Sequence, residues 1–249
     1  MKSKYVEAAV YKNEQISDCV FRLSVKGSFD VKPGQFFMLR AWGQEPLLSR
    51  PISVHDVDDE KITFLYHVVG RGTQIFSKLR EGDDISLLGP LGNGFELDML
   101  KGKVALVGGG IGVAPLNYLY KKLSMNEGVE VSFHAGYRSQ PFGLECIQGS
   151  CSLLNIATED ACVGEKGYII DYFEPKLYDI VVCCGPEIMM SKLIKKCEAA
   201  GVPILVSMEK KMACGIGACL VCTCKTKDGN KRSCADGPVF LGSELILND

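Results

Sequence analysis

Val104-Ala105-Leu106-Val107-Gly108-Gly109-Gly110-Ile111-Gly112-Val113-Ala114-Pro115 is the stretch whose reading decides the fold. Four apolar residues form a short buried strand. A glycine-rich turn follows, and Leu116 to Met125 then has helical spacing. Strand, glycine turn and helix open a parallel α/β sheet. Such a turn lets backbone N–H groups approach a phosphate at the helix start. Taken alone the signal is weak. Counted from Gly108, the sixth position of G-x-G-x-x-G is Val113; counted from Gly110, it is Pro115. A tight strand-to-helix turn explains the glycines equally well.

Downstream of this turn the alternation continues. Val129 to Ala135, Leu153 to Ala157, Asp179 to Cys184 and Val202 to Met208 read as strands. Glu187 to Ala200 reads as a helix, with Ile188, Leu193, Ile194 and Cys197 as its buried side. Ligands of such sheets lie outside the carboxyl ends of the strands. Two turns therefore stand out: Gly109, Gly110, Ile111 and Gly112, and Cys184-Gly185-Pro186. Met189 and Met190 read as helix packing. Gly136-Tyr137-Arg138-Ser139 follows the second strand. Arg138 suits a 2′-phosphate or, equally, a solvated loop, so the choice between NAD and NADP stays open.

Upstream the period is that of short strands. Tyr5 to Tyr11, Cys19 to Val25, Gln35 to Arg40, Pro51 to His55, Ile62 to Val69 and Ile85 to Leu88 alternate with turn signals such as Lys32-Pro33-Gly34. This density predicts an antiparallel barrel or sandwich. Thr73 to Arg80 reads as a helix, with Thr73 as its N-cap. Arg50-Pro51-Ile52-Ser53 places an arginine able to grip a phosphate by two parallel hydrogen bonds. Gly70-Arg71-Gly72-Thr73 leads into the helix as an anion site. Either motif alone is better explained by a surface arginine or an ordinary turn. Their occurrence together ahead of an α/β domain favours the functional reading.

The last forty residues carry Cys214, Cys219 and Cys222, then, after eleven residues, Cys234. C-x4-C-x2-C with a distant fourth thiolate is the ligand spacing of a 2Fe–2S cluster. Gly215 and Gly217 permit the sharp bends that wrap a cluster. A structural zinc and disulfides are the rival readings; the repeated C-x2-C knuckles usual for zinc are missing. Cys224 stands too close behind Cys222 to reach back around a cluster, so it reads as a packed or free thiol. So short a segment cannot readily build its own core and needs a cofactor and a docking surface. Cys19, Cys146, Cys151, Cys162, Cys183 and Cys197 are scattered, and most read as small buried hydrophobes.

The bulk numbers agree with a globular chain. There are 249 residues, 47% hydrophobic and 23% charged, with a net charge of −2, so no basic excess points to nucleic acid. No run is long enough to span a bilayer. The first residues show no apolar signal segment, and twelve cysteines without one imply a reducing cytoplasm.

These motifs, in this order, resemble those of the ferredoxin reductase superfamily. The resemblance implies a six-stranded antiparallel β-barrel FAD domain (1–100), an α/β parallel-sheet NAD domain (101–208) and a C-terminal 2Fe–2S module (209–249). It places Arg50 at the FAD pyrophosphate and Ser53 near the flavin N5. Pro51 and Ile52 continue that motif, Leu65, Tyr66 and His67 lie beside the flavin, and Gly72 and Thr73 meet the pyrophosphate. Gly109 to Gly112 would hold NAD, with Cys184, Gly185 and Pro186 near the nicotinamide. Met208 to Cys222 with Cys234 to Phe240 is similar, more narrowly, to the electron-transfer subunits of B-type dihydroorotate dehydrogenases. That family implies an FMN-containing catalytic partner, a heterotetramer of two of each subunit, NADH diaphorase activity in isolation and a place in pyrimidine synthesis. No side chain is expected to act as acid or base. A ferredoxin:NADP reductase or sulfide dehydrogenase subunit is the alternative within enzymes. A non-catalytic zinc-stabilised regulatory module is the alternative outside them.

Overall fold

A computed structural model describes residues 3–247. In chain order the elements are β1 (Lys4–Ser17), β2 (Val20–Lys26), β3 (Phe36–Arg40), β4 (Arg50–Val57), β5 (Lys61–His67), α1 (Arg71–Phe76), β6 (Asp84–Leu91), β7 (Gly102–Gly109), α2 (Val113–Leu123) and β8 (Val129–Tyr137). They continue with β9 (Leu153–Thr158), β10 (Glu165–Lys166), β11 (Ile180–Cys184), α3 (Glu187–Ala200), β12 (Ile204–Ser207), β13 (Thr223–Thr226), β14 (Gly229–Arg232) and β15 (Val239–Leu241).

The first six strands close into an antiparallel barrel, in the order β1-β2-β5-β4-β3-β6. Leu23, Phe37, Leu39, Ile62, Phe64 and Leu87 fill it. Closure leaves no open edge. α1 is shorter than the sequence predicts, and Gly70, not Thr73, is its N-cap. Thr73 stands in the first turn instead. Its hydroxyl accepts from the N–H groups of Val69 and Gly70 at 3.0 and 3.2 Å and donates to the Gly70 carbonyl.

The second sheet has seven strands, in the order β10-β9-β8-β7-β11-β12-β15. All pair in parallel except β15, which runs antiparallel to β12. Two cores flank it, one under α2 around Leu106, Leu116, Leu119 and Phe133. The other lies under α3, around Val181, Met190, Leu193, Cys197 and Val206. Met190, Leu193, Ile194 and Cys197 are the apolar stripe of α3, at i, i+3, i+4 and i+7. Ile188, expected on that stripe, is off it and exposed.

α2 also packs against the barrel, and this joins the two bodies. The buried His55 ring donates from Nδ1 to the Ala114 carbonyl at 3.1 Å, and Asn117 returns a bond to the His55 carbonyl at 3.2 Å. Lys121 reaches Asp56 at 2.7 Å. The remaining residues form an arm with a small hairpin, β13 and β14. The arm is fastened at both ends: Cys222 and Cys234 pack on Phe36, Met38 and Leu91 of the barrel, while Cys224 and Phe240 pack into the α3 core. The expectation that most scattered cysteines are buried fails. Cys183 and Cys197 are buried, but Cys19, Cys146 and Cys162 are exposed and Cys151 is half-buried. All twelve are free thiols.

Candidate functional site

From β7 the chain moves outward to β8 and β9, then returns to β11 on the other side of β7. The topological switch point therefore lies between β7 and β11, where Gly108 and Cys184 are register partners. An open α/β sheet binds its ligand at that crevice. Both turns singled out in the sequence end there. Gly112 is forced to be glycine by its neighbour: a Cβ would stand 2.3 Å from the Cys184 carbonyl oxygen. Met189 packs over this junction, against Gly109 and Gly185.

A cavity of about 330 Å³ opens beside the switch point. Pro51, Ile52 and Ser53 of β4 form one wall and Leu65, Tyr66 and His67 of β5 another. Ile111 and Ala114 come from the glycine turn and α2, and Ser207, Met208, Glu209 and Lys210 from the end of β12. Met212 of the arm completes it. Flat apolar walls with a few polar groups at the edge suit a planar heteroaromatic ring. His67 thus faces the site as well as ending a strand. Arg50 stands next to α1: a Cβ on Gly72 would lie 2.6 Å from its Nε. Its guanidinium sits 5.5 Å from the Trp42 ring centroid and donates to the Leu48 carbonyl. Arg50 and Gly72 are thereby brought together at the start of α1.

Ser207, Glu209 and Lys210 are site residues that the sequence does not single out. Ser207 is the register partner of the fully buried Cys184. Cys184 thus lies one residue behind the cavity wall. Burial pushes its thiol well up, with Glu209 adding to the effect. Glu209 is exposed at the cavity wall, and the protein mass around that cleft desolvates its carboxyl and raises it above the usual range. Lys210 donates to Glu187 at 2.7 Å, tying the cavity wall to the first turn of α3.

The four predicted ligand cysteines lie on one loop system. Cys214 is half-buried, Cys219 exposed, and Cys222 and Cys234 buried. Gly215 and Gly217 take positive φ, at 73° and 83°. The loop turns backbone N–H groups onto sulfur: Gly217 donates to Cys234 Sγ at 3.1 Å and Cys219 to Cys214 Sγ at 3.4 Å. Burial alone would raise the Cys214 thiol. Donation from the N–H groups of Ile216, Cys219 and Ala218 outweighs it and brings the thiol down to about 6. Cys234 is pushed the other way, to about 12, by burial and by the neighbouring Cys222 thiol.

Arg232 and Asp236, also unforeseen, brace the loop. Arg232 Nε and Nη2 donate to the two Asp236 oxygens, each at 2.9 Å, and Nη1 donates to the Gly217 carbonyl at 3.0 Å. The arginine draws the Asp236 carboxyl down to about 2. Among the described residues, no three His, Cys, Asp or Glu side chains converge as a single metal ion requires. The donor set is four thiols, two of them fed by backbone N–H groups, which fits an iron–sulfur cluster, whose sulfurs accept such bonds.

A closed six-stranded barrel packed against a parallel sheet, whose first strand β7 runs through a glycine turn into α2, defines the class: the ferredoxin–NADP reductase type of oxidoreductase fold. A ferredoxin reductase of carbazole 1,9a-dioxygenase shares the fold at TM-score 0.71 and 20% identity, covering 82% of this chain and 69% of that one. An NADH-dependent reduced ferredoxin-NADP oxidoreductase is similar at TM-score 0.87 and 30% identity, over 96% of this chain and 90% of its own. Residues 209–246 match the iron-sulfur cluster binding domain of dihydroorotate dehydrogenase B. Relatives named dihydroorotate dehydrogenase B (NAD(+)), electron transfer subunit, are 57% identical in Clostridium acetobutylicum, over the whole of both chains, and 42% identical in Clostridium perfringens, over 98% and 99%. The chain belongs to this family of electron transfer subunits.

Proposed function

We propose that this chain carries electrons between a separate dihydroorotate-oxidising subunit and NAD+, by way of a 2Fe–2S cluster and FAD. The observation that carries the reading is the single cavity lined by barrel, nicotinamide sheet and arm. One-electron and two-electron carriers must come close to exchange, and here the three segments that would hold them share one wall.

When bound, the cluster supplies one-electron transfer, and the flavin supplies both one-electron transfer and exchange of hydride with the nicotinamide. The chain's own residues bind, orient and exclude water. Arg50 with Gly72 and Thr73 holds the FAD pyrophosphate, and Ser53, Leu65, Tyr66 and His67 with Pro51 and Ile52 frame the ring. Gly109, Gly110, Ile111 and Gly112 receive the dinucleotide phosphates, and Cys184, Gly185 and Pro186 shape the nicotinamide end. Cys214, Cys219, Cys222 and Cys234 would hold the cluster. Phe36, Leu65, Ile111 and Met208 keep the cavity apolar.

Ile216, Leu220 and Val221 project from the ligand loop, more than half exposed. They offer the catalytic partner a dry contact beside the cluster. We assign that partner an FMN and the assembly two copies of each subunit. Alone, the chain is an NADH diaphorase. Cysteines without a disulfide among them suit a reducing cytoplasm, and among the described residues no helix is long and apolar enough to cross a membrane.

The visible spectrum of anaerobically purified protein tests the reading. A yellow-brown protein bleached by NADH is expected, and a colourless zinc protein would overturn it in favour of a regulatory module. Co-purification with an FMN protein that oxidises dihydroorotate then separates this reading from a related ferredoxin or sulfide reductase subunit.

A further inference from the structure

β4 and α2 meet across the seam between the barrel and the parallel sheet, and each supplies a wall of the cavity. Ser53 of β4 and Ala114 of α2 both line it. At the seam β4 holds one residue more than the strand beside it. Val54 pairs with Phe64 and Asp56 with Thr63, so His55 has no opposite residue on β5. Such a bulge leaves backbone out of the ladder and re-aims a side chain. Residues of α2 meet both consequences. The His55 ring donates from Nδ1 to the Ala114 carbonyl at 3.1 Å, and Asn117 Nδ2 donates to the His55 carbonyl at 3.2 Å. His55 is 4% exposed and Asn117 1%, so this reciprocal clasp is closed to water. It ties the residue two past Ser53 to the residue two past Gly112.

Other contacts cross the seam farther out. Lys121 reaches Asp56 at 2.7 Å and Arg22 reaches Glu145 at 2.6 Å, through side chains a quarter or more exposed. Exposed ion pairs hold position loosely and weaken in salt. Asn117 carries a cost that a merely adhesive residue would avoid. Its Oδ1 is buried without a partner among the described residues, whereas leucine, of nearly the same shape, would bury no acceptor there. What the amide supplies is a directed N–H for the carbonyl that the bulge frees.

We infer that His55 and Asn117 are positioning residues for hydride transfer: their clasp holds the start of α2, and with it the glycine turn, at a fixed offset from Ser53, and so sets how the nicotinamide meets the flavin. The inference rests on the proposed flavin and nicotinamide sites and deepens them. The offset matters because transfer slows steeply when the reacting atoms are displaced by about 1 Å.

The test times flavin reduction by NADH in the FAD-loaded protein, in anaerobic stopped flow. Hydride leaves NADH for the oxidised flavin, giving NAD+ and flavin reduced by two electrons, so no third reactant enters. In His55→Leu and in Asn117→Leu the limiting rate at saturating NADH should fall about tenfold. The long-wavelength absorbance of NADH stacked on flavin should weaken with it. FAD content and the NADH concentration giving half the limiting rate should stay within about twofold. The double variant should fall little further than either single one, because the two bonds act as a unit. His55→Asn, whose amide N–H can stand where Nδ1 stands, should regain most of the rate. Lys121→Ala, at the same seam, should leave it unchanged. An unmoved limiting rate in the leucine variants, losses that multiply in the double variant, no recovery in His55→Asn, or an equal loss in Lys121→Ala would each overturn the assignment. If His55→Leu does not fold, Asn117→Leu, which removes the unpartnered acceptor, decides by the same rate and absorbance. If NADH does not bleach the flavin of the unaltered protein, the redox reading itself fails and the clasp has nothing to position.

Discussion

The loop around Cys214 and the interior around Cys197 treat the same thiol in opposite ways. At Cys214 backbone N–H donation, with Cys219 N–H on the sulfur at 3.4 Å, outweighs burial and brings the thiol down to about 6. At Cys197, on the inner face of α3, burial pushes it up to about 12. The loop has little core of its own and spends its backbone donors on sulfur. The interior spends its donors on helix and sheet ladders and leaves sulfur as a small apolar group. The difference shows that a cysteine's role is set by where nearby N–H groups point, which spacing in the sequence reveals only in part.

Removing a thiol from the loop should break the comparison most visibly. Cys214→Ser is expected to lose the cluster's visible absorbance and all electron delivery to the catalytic partner, while keeping NADH-driven dye reduction. Survival of dihydroorotate-dependent NAD+ reduction in the reconstituted complex would refute the relay.

Burial acts on other titratable groups of the interior, and acid tests this next. His55 and His134 are buried, and desolvation lowers both rings from 6.5 to about 4. The unfolded chain therefore binds protons that the folded chain refuses. The contribution of these neutral rings is present in full above pH 6.5 and is lost as pH falls toward 4, by roughly 2–3 kcal/mol per ring. Urea midpoints measured between pH 7 and pH 4.5 should fall steadily, and a His55→Gln variant should show a shallower decline.

Cys224 sharpens the boundary between the two regions. It belongs to the arm yet lies in the α3 core, where burial raises its thiol to about 11. Cys224→Ala should cost about 1–2 kcal/mol in denaturant titration. Its cluster spectrum should be unchanged; a bleached variant would make Cys224 a ligand. The smallest effect belongs to Cys19, exposed at a positive φ of 56° after β1. Cys19→Ala should stay within about 0.5 kcal/mol, and a larger loss would show that exposure misjudges this thiol.

The barrel, the parallel sheet and both ligand turns are legible in the sequence because hydrophobic period and glycine placement encode them locally. The misreadings have physical causes. α2 begins at Val113 because a first helical turn tolerates proline, so Pro115 does not delay it. β1 runs on to Ser17 through polar residues because register shifts let it bend from one barrel face to the next. The hairpin at Asp228-Gly229 carries a turn signal but no alternating apolar residues to confirm it. Glu209, Lys210 and Arg232 act through partners distant in sequence or across a turn, and no local pattern announces such pairs. The exposed cysteines were misjudged because composition averages do not know which side of a strand end faces water.

β15 has one more consequence. It closes the nicotinamide sheet by pairing Val239, Phe240 and Leu241 with Ser207, Val206 and Leu205 of β12. A chain cut at residue 208 would bare that short apolar strand with its ladder of N–H and C=O groups unmatched, an invitation to edge-to-edge self-association. The arm thus protects solubility as well as serving redox chemistry, and a shortened reductase should be sought as aggregate before it is judged inactive.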